Sequence, residues 1–210
     1  GWEIAHDQFG LPIDPQPRTF AEGGPKLQCT TEGNLLTAHS SRVNFTFDKS
    51  SGLVTSYKVK GTEYFNEGFG IQPNFWRAPN DNDYGSQEPK RLQIWKESSR
   101  NFKVVDATLT MDGEDAVLKA SYLLAAGNLY IATYRIHPSG VVKADYTFTS
   151  TEMAAAETEV SEATRLATFT PGNEALRKES SKLVVPRIGV RFRLPANMNQ
   201  VTYFGRGPEE

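Results

Sequence analysis

Two carboxylates, Asp81 and Asp83, stand two residues apart in NFWRAPNDNDYG, residues 74–85, with Trp76, Arg77 and Tyr84 around them. Side chains at i and i+2 of an extended chain lie on one face, so the pair could address one reacting group. Hydrolysis across a sugar ring uses such a pair, about 5 Å apart for retention of configuration or roughly 6.5–9.5 Å for inversion. The surrounding residues favour another reading. Asn80, Asp81, Asn82 and Asp83 are short polar side chains that hydrogen-bond nearby backbone amides in Asx-turns. Arg77 in the same loop would keep the carboxyls ionised, which suits a general acid poorly. A loop that ties itself down is the preferred reading, with a cation site as the alternative.

The remaining chemistry-bearing residues are scattered. His6, His39 and His137 are far apart, without an HExxH spacing, and read as surface or capping histidines. The glycines of GFGIQP and GRGP lack the GxxxxGK[ST] spacing of a phosphate loop; Gly205 and Gly207 read as a tight turn after a strand. Glu209 and Glu210 read as solvated carboxylates. Trp76, Tyr84, Trp95, Tyr203 and Phe204 could stack on the apolar faces of sugars, yet aromatics are also the ordinary filling of a sheet sandwich. Trp76 and Tyr84, which flank the polar loop, are the better candidates for a sugar surface.

The elements that must hold these residues are strands. RVNFTFDKSSGLVTSYKVKGTEYF alternates Val43, Phe45 and Phe47, turns through DKSSG, and alternates again at Leu53 or Val54, Tyr57 and Val59, which predicts a hairpin. NFKVVDATLTMDGEDAVLKASYLL predicts a second, with Asp112 and Gly113 at its turn, and NLYIATYRIHPSGVVKADYTFTS a third around HPSG. KLQCTTEGNLLTAHS reads as one or two short strands. Near the end, Val190, Phe192 and Leu194 alternate with Arg191 and Arg193, a strand with two unlike faces. Helix is scarce: SQEPKRLQIWKESSR can place Leu92 and Trp95 or Lys96 on a stripe, but Pro89 limits it to a turn or two. TEMAAAETEVSEATRL is read as strand or irregular. About ten to fifteen short strands with regular turns predict an all-β fold, a large antiparallel β-sandwich.

Length and composition fit one large folded domain or two small ones and exclude several function classes. Lys plus Arg is 23 against 25 Asp plus Glu in 210 residues, and no basic stripe for nucleic acid stands out. No apolar run approaches the roughly 20 residues that cross a bilayer. Cys29 is the single cysteine, so neither an intrachain disulfide nor a thiolate cluster forms. No signal peptide is recognisable, and the compartment, cytoplasmic or periplasmic, stays open. Prolines at 12, 15 and 17 mark a linker.

GIQPNFWRAPNDNDYG, together with FDKSSGLVTSY before it, VPRIGVRFRLP after it and YFGRGPEE, resembles the C-terminal, small-chain (fifth) domain of the β-galactosidases of glycoside hydrolase family 2. WEIAHDQFGLP resembles the stretch leading out of the preceding immunoglobulin-like domain. The resemblance implies that residues 1–20 end a preceding domain and its linker, and that 21–210 form a supersandwich of the galactose-mutarotase-like kind, incomplete at its C-terminus. It implies a parent that hydrolyses terminal β-D-galactosides with retention, through glutamates and metal ligands in a (β/α)8 barrel. No catalytic, cofactor-binding or metal-binding residue is then expected here, and any magnesium or sodium dependence would reside in the parent. The expected partners are the barrel and other domains of the parent chain and β-galactosides, with the parent a homo-oligomer; nucleic acid and membrane are not expected. Trp76, Arg77, Asn80, Asp81, Asn82, Asp83 and Tyr84 would form a loop beside the active-site mouth, its asparagines and Asp81 tying up backbone groups while Arg77 bridges out to a neighbour. The rivals are a stand-alone carbohydrate-binding module and a mutarotase-like enzyme, the latter needing a histidine and a carboxylate converging in a groove.

Overall fold

A computed structural model of the chain describes residues 23–85, 88–125, 127–149 and 185–200. It is mostly antiparallel strand with little helix. Strands β1 (Gln28–Glu32), β2 (Leu35–His39), β3 (Val43–Asp48), β4 (Leu53–Val59) and β5 (Thr62–Glu63) form one sheet in sequential order. Strands β7 (Lys103–Asp112), β8 (Asp115–Leu123), β9 (Leu129–Ile136) and β10 (Val142–Thr149) form a second, again in sequence. Between them in the chain lie β6 (Gln72–Asn74) and three short helices, α1 (Asp81–Gly85), α2 (Glu88–Arg91) and α3 (Gln93–Ser98). β6 pairs with the late strand β11 (Gly189–Arg191).

Each predicted hairpin forms at its predicted turn. Gly52, Gly113 and Gly140 take φ of +71°, +63° and +102°, a region that strongly favours glycine. The Asp48 carboxylate accepts from the Ser50 amide at 2.8 Å and closes the first turn as an Asx motif. The choice between Leu53 and Val54 is decided by a bulge. Thr46 pairs with Ser56 but Phe47 pairs with Val54, leaving Thr55 as the extra residue. The bulge flips the phase, so that Val54 is fully buried, and Leu53 only partly so.

The alternation predicted for these strands becomes the core. β3 buries Val43, Phe45 and Phe47, while β8 and β9 bury Leu118, Ala120, Tyr122, Tyr130, Tyr134 and Ile136. The two sheets meet across these faces: Phe45 packs on Tyr134 with ring centroids 5.6 Å apart, and Phe47 meets Tyr122 edge-on at 6.5 Å. Two tyrosines reach acceptors across the gap, Tyr122 on the Gly52 carbonyl at 3.1 Å and Tyr57 on the Gly140 carbonyl. Gly70 lets two backbones touch, since a Cβ there would lie 1.4 Å from the Val54 carbonyl oxygen.

The helical segment departs from expectation in extent. Sequence predicts a turn or two after residue 86, whereas helix begins at Asp81 and recurs in pieces to Ser98. Leu92 and Trp95 are buried as the stripe requires, and Pro89 sits in the first turn of α2, where its missing N–H costs nothing. The segment read as strand or irregular, 151–166, lies outside the described residues, as do His6, Tyr203, Phe204, Gly205, Gly207, Glu209 and Glu210.

Candidate functional site

The Asp-containing loop hangs from the core by one residue. Phe75, fully buried, follows β6 and packs against Trp95, Tyr130 and Phe148 with ring centroids 6.1, 5.4 and 5.8 Å away. Its amide donates to Ser99 Oγ at 2.7 Å, tying the strand end to the end of α3. The next side chain, Trp76, is half-buried, with Lys96 Nζ 5.9 Å above its ring. Phe75 is thus the anchor and Trp76 the first residue that reaches the surface.

From there the chain builds a reciprocal cap. Asn80 Oδ1 accepts from the Asp83 amide at 3.0 Å, and Asp83 Oδ2 accepts from the Asn80 amide at 2.8 Å. Asparagine at the N-cap and a carboxylate three residues on satisfy two of the helix's orphan donors at once, the logic of a capping box. Arg77 then grips the same carboxylate with both arms, Nη1 to Oδ2 at 2.5 Å and Nη2 to Oδ1 at 2.7 Å. Asp83 is buried while Arg77 is half-exposed. The Arg77 fork, and after it the Asn80 amide, pull the Asp83 carboxyl down to a pKa of about 2. At neutral pH it is an anion with its lone pairs occupied, unfit to donate a proton.

Arg77 is held inside its own loop: its guanidinium closes on Asp83 and on the Ala78 carbonyl at 3.3 Å, because the helix turn returns Asp83 to it. One expectation needs correcting. Of the polar run, Asn80 and Asp83 tie the backbone, while Asp81 and Asn82 point outward and are exposed. The i, i+2 spacing that suggested a shared face belongs to extended chain. In helix α1 the two positions are about 200° apart, so the aspartates diverge. Tyr84, 63% exposed, lies on the outside of the same turn.

A cleft lies between Trp76, Arg77, Asp83, Glu88, Leu92 and Pro186, but its volume of about 10 Å³ admits no more than a water. Glu88 and Pro186 belong to this neighbourhood without a signal in the sequence, whereas Lys96 stands on the predicted stripe. His137, the histidine in the third hairpin turn, accepts from the Ser139 amide at 3.1 Å through Nδ1, which lies 2.7 Å from Ser139 Oγ, as a capping residue does. Among the described residues no three His, Cys, Asp or Glu gather as a metal site, and no helix is long and apolar enough to cross a membrane.

The profile of the family described as beta galactosidase small chain matches residues 39–210, from the end of β2 through the capped loop and beyond. The chain belongs to that family. It is 27% identical over 212 aligned residues to a beta-galactosidase of Priestia megaterium, covering 100% of this chain and 18% of that protein. A beta-galactosidase of Lactococcus lactis is 26% identical over 216 residues, 100% of this chain and 19% of its own. One from Kluyveromyces lactis reaches 35% identity over 97 residues, 46% of this chain and 9% of its own. The chain therefore spans less than a fifth of the length of these curated relatives.

Proposed function

We propose that this chain is a non-catalytic domain of a multidomain β-galactosidase that hydrolyses terminal β-D-galactosides with retention. The family match over residues 39–210 is the observation that carries this reading. The chemistry of the loop agrees with it, since Asp83, locked by Arg77 and Asn80, is no general acid. In this reading residues 1–20 close a preceding domain, and 21–210 supply part of a galactose-mutarotase-like supersandwich. The loop from Trp76 to Tyr84 shapes the mouth of an active site housed in a barrel elsewhere in the polypeptide, where β-galactosides bind, and the whole enzyme is a homo-oligomer. Arg77, Asn80 and Asp83 fix the loop's shape, while Trp76, Asp81, Asn82 and Tyr84 are the side chains left free to meet barrel or sugar.

The test compares the isolated chain with the enzyme that contains it. The chain alone should neither turn over a chromogenic galactoside nor bind galactose in calorimetry, while the enzyme should hydrolyse the substrate with retained anomeric configuration. Tyr84→Ala in the enzyme should raise KM for lactose with the fold intact. Turnover by the chain alone overturns the proposal, and saturable galactose binding at Trp76 and Tyr84 would make it a carbohydrate-binding module.

A further inference from the structure

The chain enters β1 through a short segment, residues 23–27, that touches both sheets at one end of the fold. Leu27, buried, fills a place in the main core. Ahead of it, Gly24 lies directly against the turn between β9 and β10: a Cβ there would stand 1.9 Å from the Pro138 carbonyl oxygen and 2.4 Å from its carbon. Glycine lets the two backbones come this close. The turn is itself well formed, since the Gly140 amide donates to the His137 carbonyl and the His137 amide to the Val141 carbonyl, both at 2.9 Å.

Gly23 is held from the other sheet. The Arg42 guanidinium donates to the Gly23 carbonyl at 3.4 Å. Arg42 is fixed in the turn between β2 and β3, where Ser40 Oγ accepts from the Arg42 and Val43 amides at 3.2 and 3.1 Å. Its carbonyl accepts from the Lys60 amide at 2.7 Å, which joins the β4–β5 turn to the same end. The two sheets also meet there directly. The Tyr57 hydroxyl donates to the Gly140 carbonyl, and the Val59 side chain lies 2.7 Å from where a Gly140 Cβ would stand. Residues 23–27 thus cross the joint between the sheets, with Gly23 gripped from one, Gly24 seated on the other and Leu27 sunk in the core.

We propose that residues 23–27 form a clasp over this end of the two sheets, one that opens as a unit ahead of global unfolding and couples the β2–β3 turn to the β9–β10 turn. Each grip depends on the other because they act on adjacent residues. Lifting Gly24 from Pro138 carries Gly23 away from Arg42, and losing the Arg42 bond frees Gly23 to draw Gly24 off the β9–β10 turn. On the reading proposed above, the clasp sets the bearing of the preceding domain on the sheets. The clasp itself rests on contacts among residues 23–141, so its test is separate from that reading.

The experiment follows tryptic cleavage after Lys26 by mass spectrometry, and amide hydrogen exchange at Gly140, in the wild-type chain, Gly24→Ala, Arg42→Met and the double variant. Cleavage reports the population of the open clasp. Gly24→Ala should raise both rates about tenfold, and Arg42→Met, which keeps the stem and loses the donors, about threefold. In the double variant Arg42→Met should add nothing, because Gly23 has already left Arg42. Low urea should speed exchange at Leu118 and Ala120, in the core of β8, while leaving Gly140 nearly unchanged. Additive effects in the double variant overturn the proposal, as does Gly140 exchange that rises with urea as steeply as that of Leu118 and Ala120. Should Gly24→Ala fail to fold, Arg42→Met decides alone: a Gly140 amide indifferent to it overturns the coupling.

Discussion

Replacing Phe75 by alanine tests whether the capped loop hangs from the core at this residue. The Phe75 side chain is fully buried among Trp95, Tyr130 and Phe148, of which Trp95 and Tyr130 are themselves fully buried. Deleting a buried phenylalanine costs about 3–5 kcal/mol, from the lost transfer energy and the cavity left behind. With a urea m-value of about 2 kcal/mol/M, the unfolding midpoint of the chain should fall by roughly 2 M. Trp76→Ala is the control, since its ring is only half-buried and the loss should be about 1–2 kcal/mol. In the enzyme the order should invert for activity: Trp76→Ala should alter KM, while Phe75→Leu should lower stability and leave KM close to wild type. A Phe75→Ala cost below about 1 kcal/mol, or a larger cost for Trp76→Ala, would refute the anchoring argument.

Three further outcomes follow from the same geometry. Because Arg77 and Asn80 depress the Asp83 carboxyl to about 2, its contribution to stability should be present above the unfolded carboxyl pKa of about 3.9 and disappear as pH falls through about 2; carboxyl chemical shifts through an acid titration check this, and Arg77→Gln should move the transition upward. Glu63 gives a second acid-sensitive point: burial pushes its carboxyl up, but the Ser56 hydroxyl and the Phe65, Tyr57 and Tyr64 amides outweigh it and leave it lowered, so Glu63→Gln should destabilise at pH 7 and matter less once pH drops below the folded pKa, as read from denaturant melts at the two pH values. Gly70→Ala should be among the most damaging small substitutions in the chain, because the new methyl would meet the Val54 carbonyl backbone at 1.4 Å and β4 would have to shift; a thermal melt within a degree or two of wild type would show that the two backbones are not in contact.

Sequence alone carries the sheets well because their signal is local. Alternation at Val43, Phe45 and Phe47 and positive-φ glycines at 52, 113 and 140 are each read within a few residues, and strands adjacent in sequence are adjacent in space. Two-fold periodicity does not reveal a bulge, so the phase of β4 past Thr55 had to come from its pairing with β3. Nor does it reveal that β6 pairs with β11, since more than a hundred residues separate Asn74 from Gly189 and nothing in either strand names the other.

The loop is a harder case, and it shows where reading by residue type breaks down. Short polar side chains make NDND a backbone-binding run, and Asn80 binds the Asp83 amide as a helix cap. Which aspartate mattered depended on backbone conformation. In extended chain Asp81 and Asp83 share a face and look like a pair; in α1 they diverge, and only the residue three after the cap returns to Asn80 and Arg77. The sequence did contain that spacing, Asn80 followed by Asp83, and it signals a helix start as directly as any capping box. Two carboxylates two apart are therefore evidence for acid–base catalysis only after capping has been excluded. Here capping consumes Asp83, Arg77 neutralises it, and the loop's remaining exposed side chains, Asp81, Asn82 and Tyr84, are the ones free to meet whatever lies across from it.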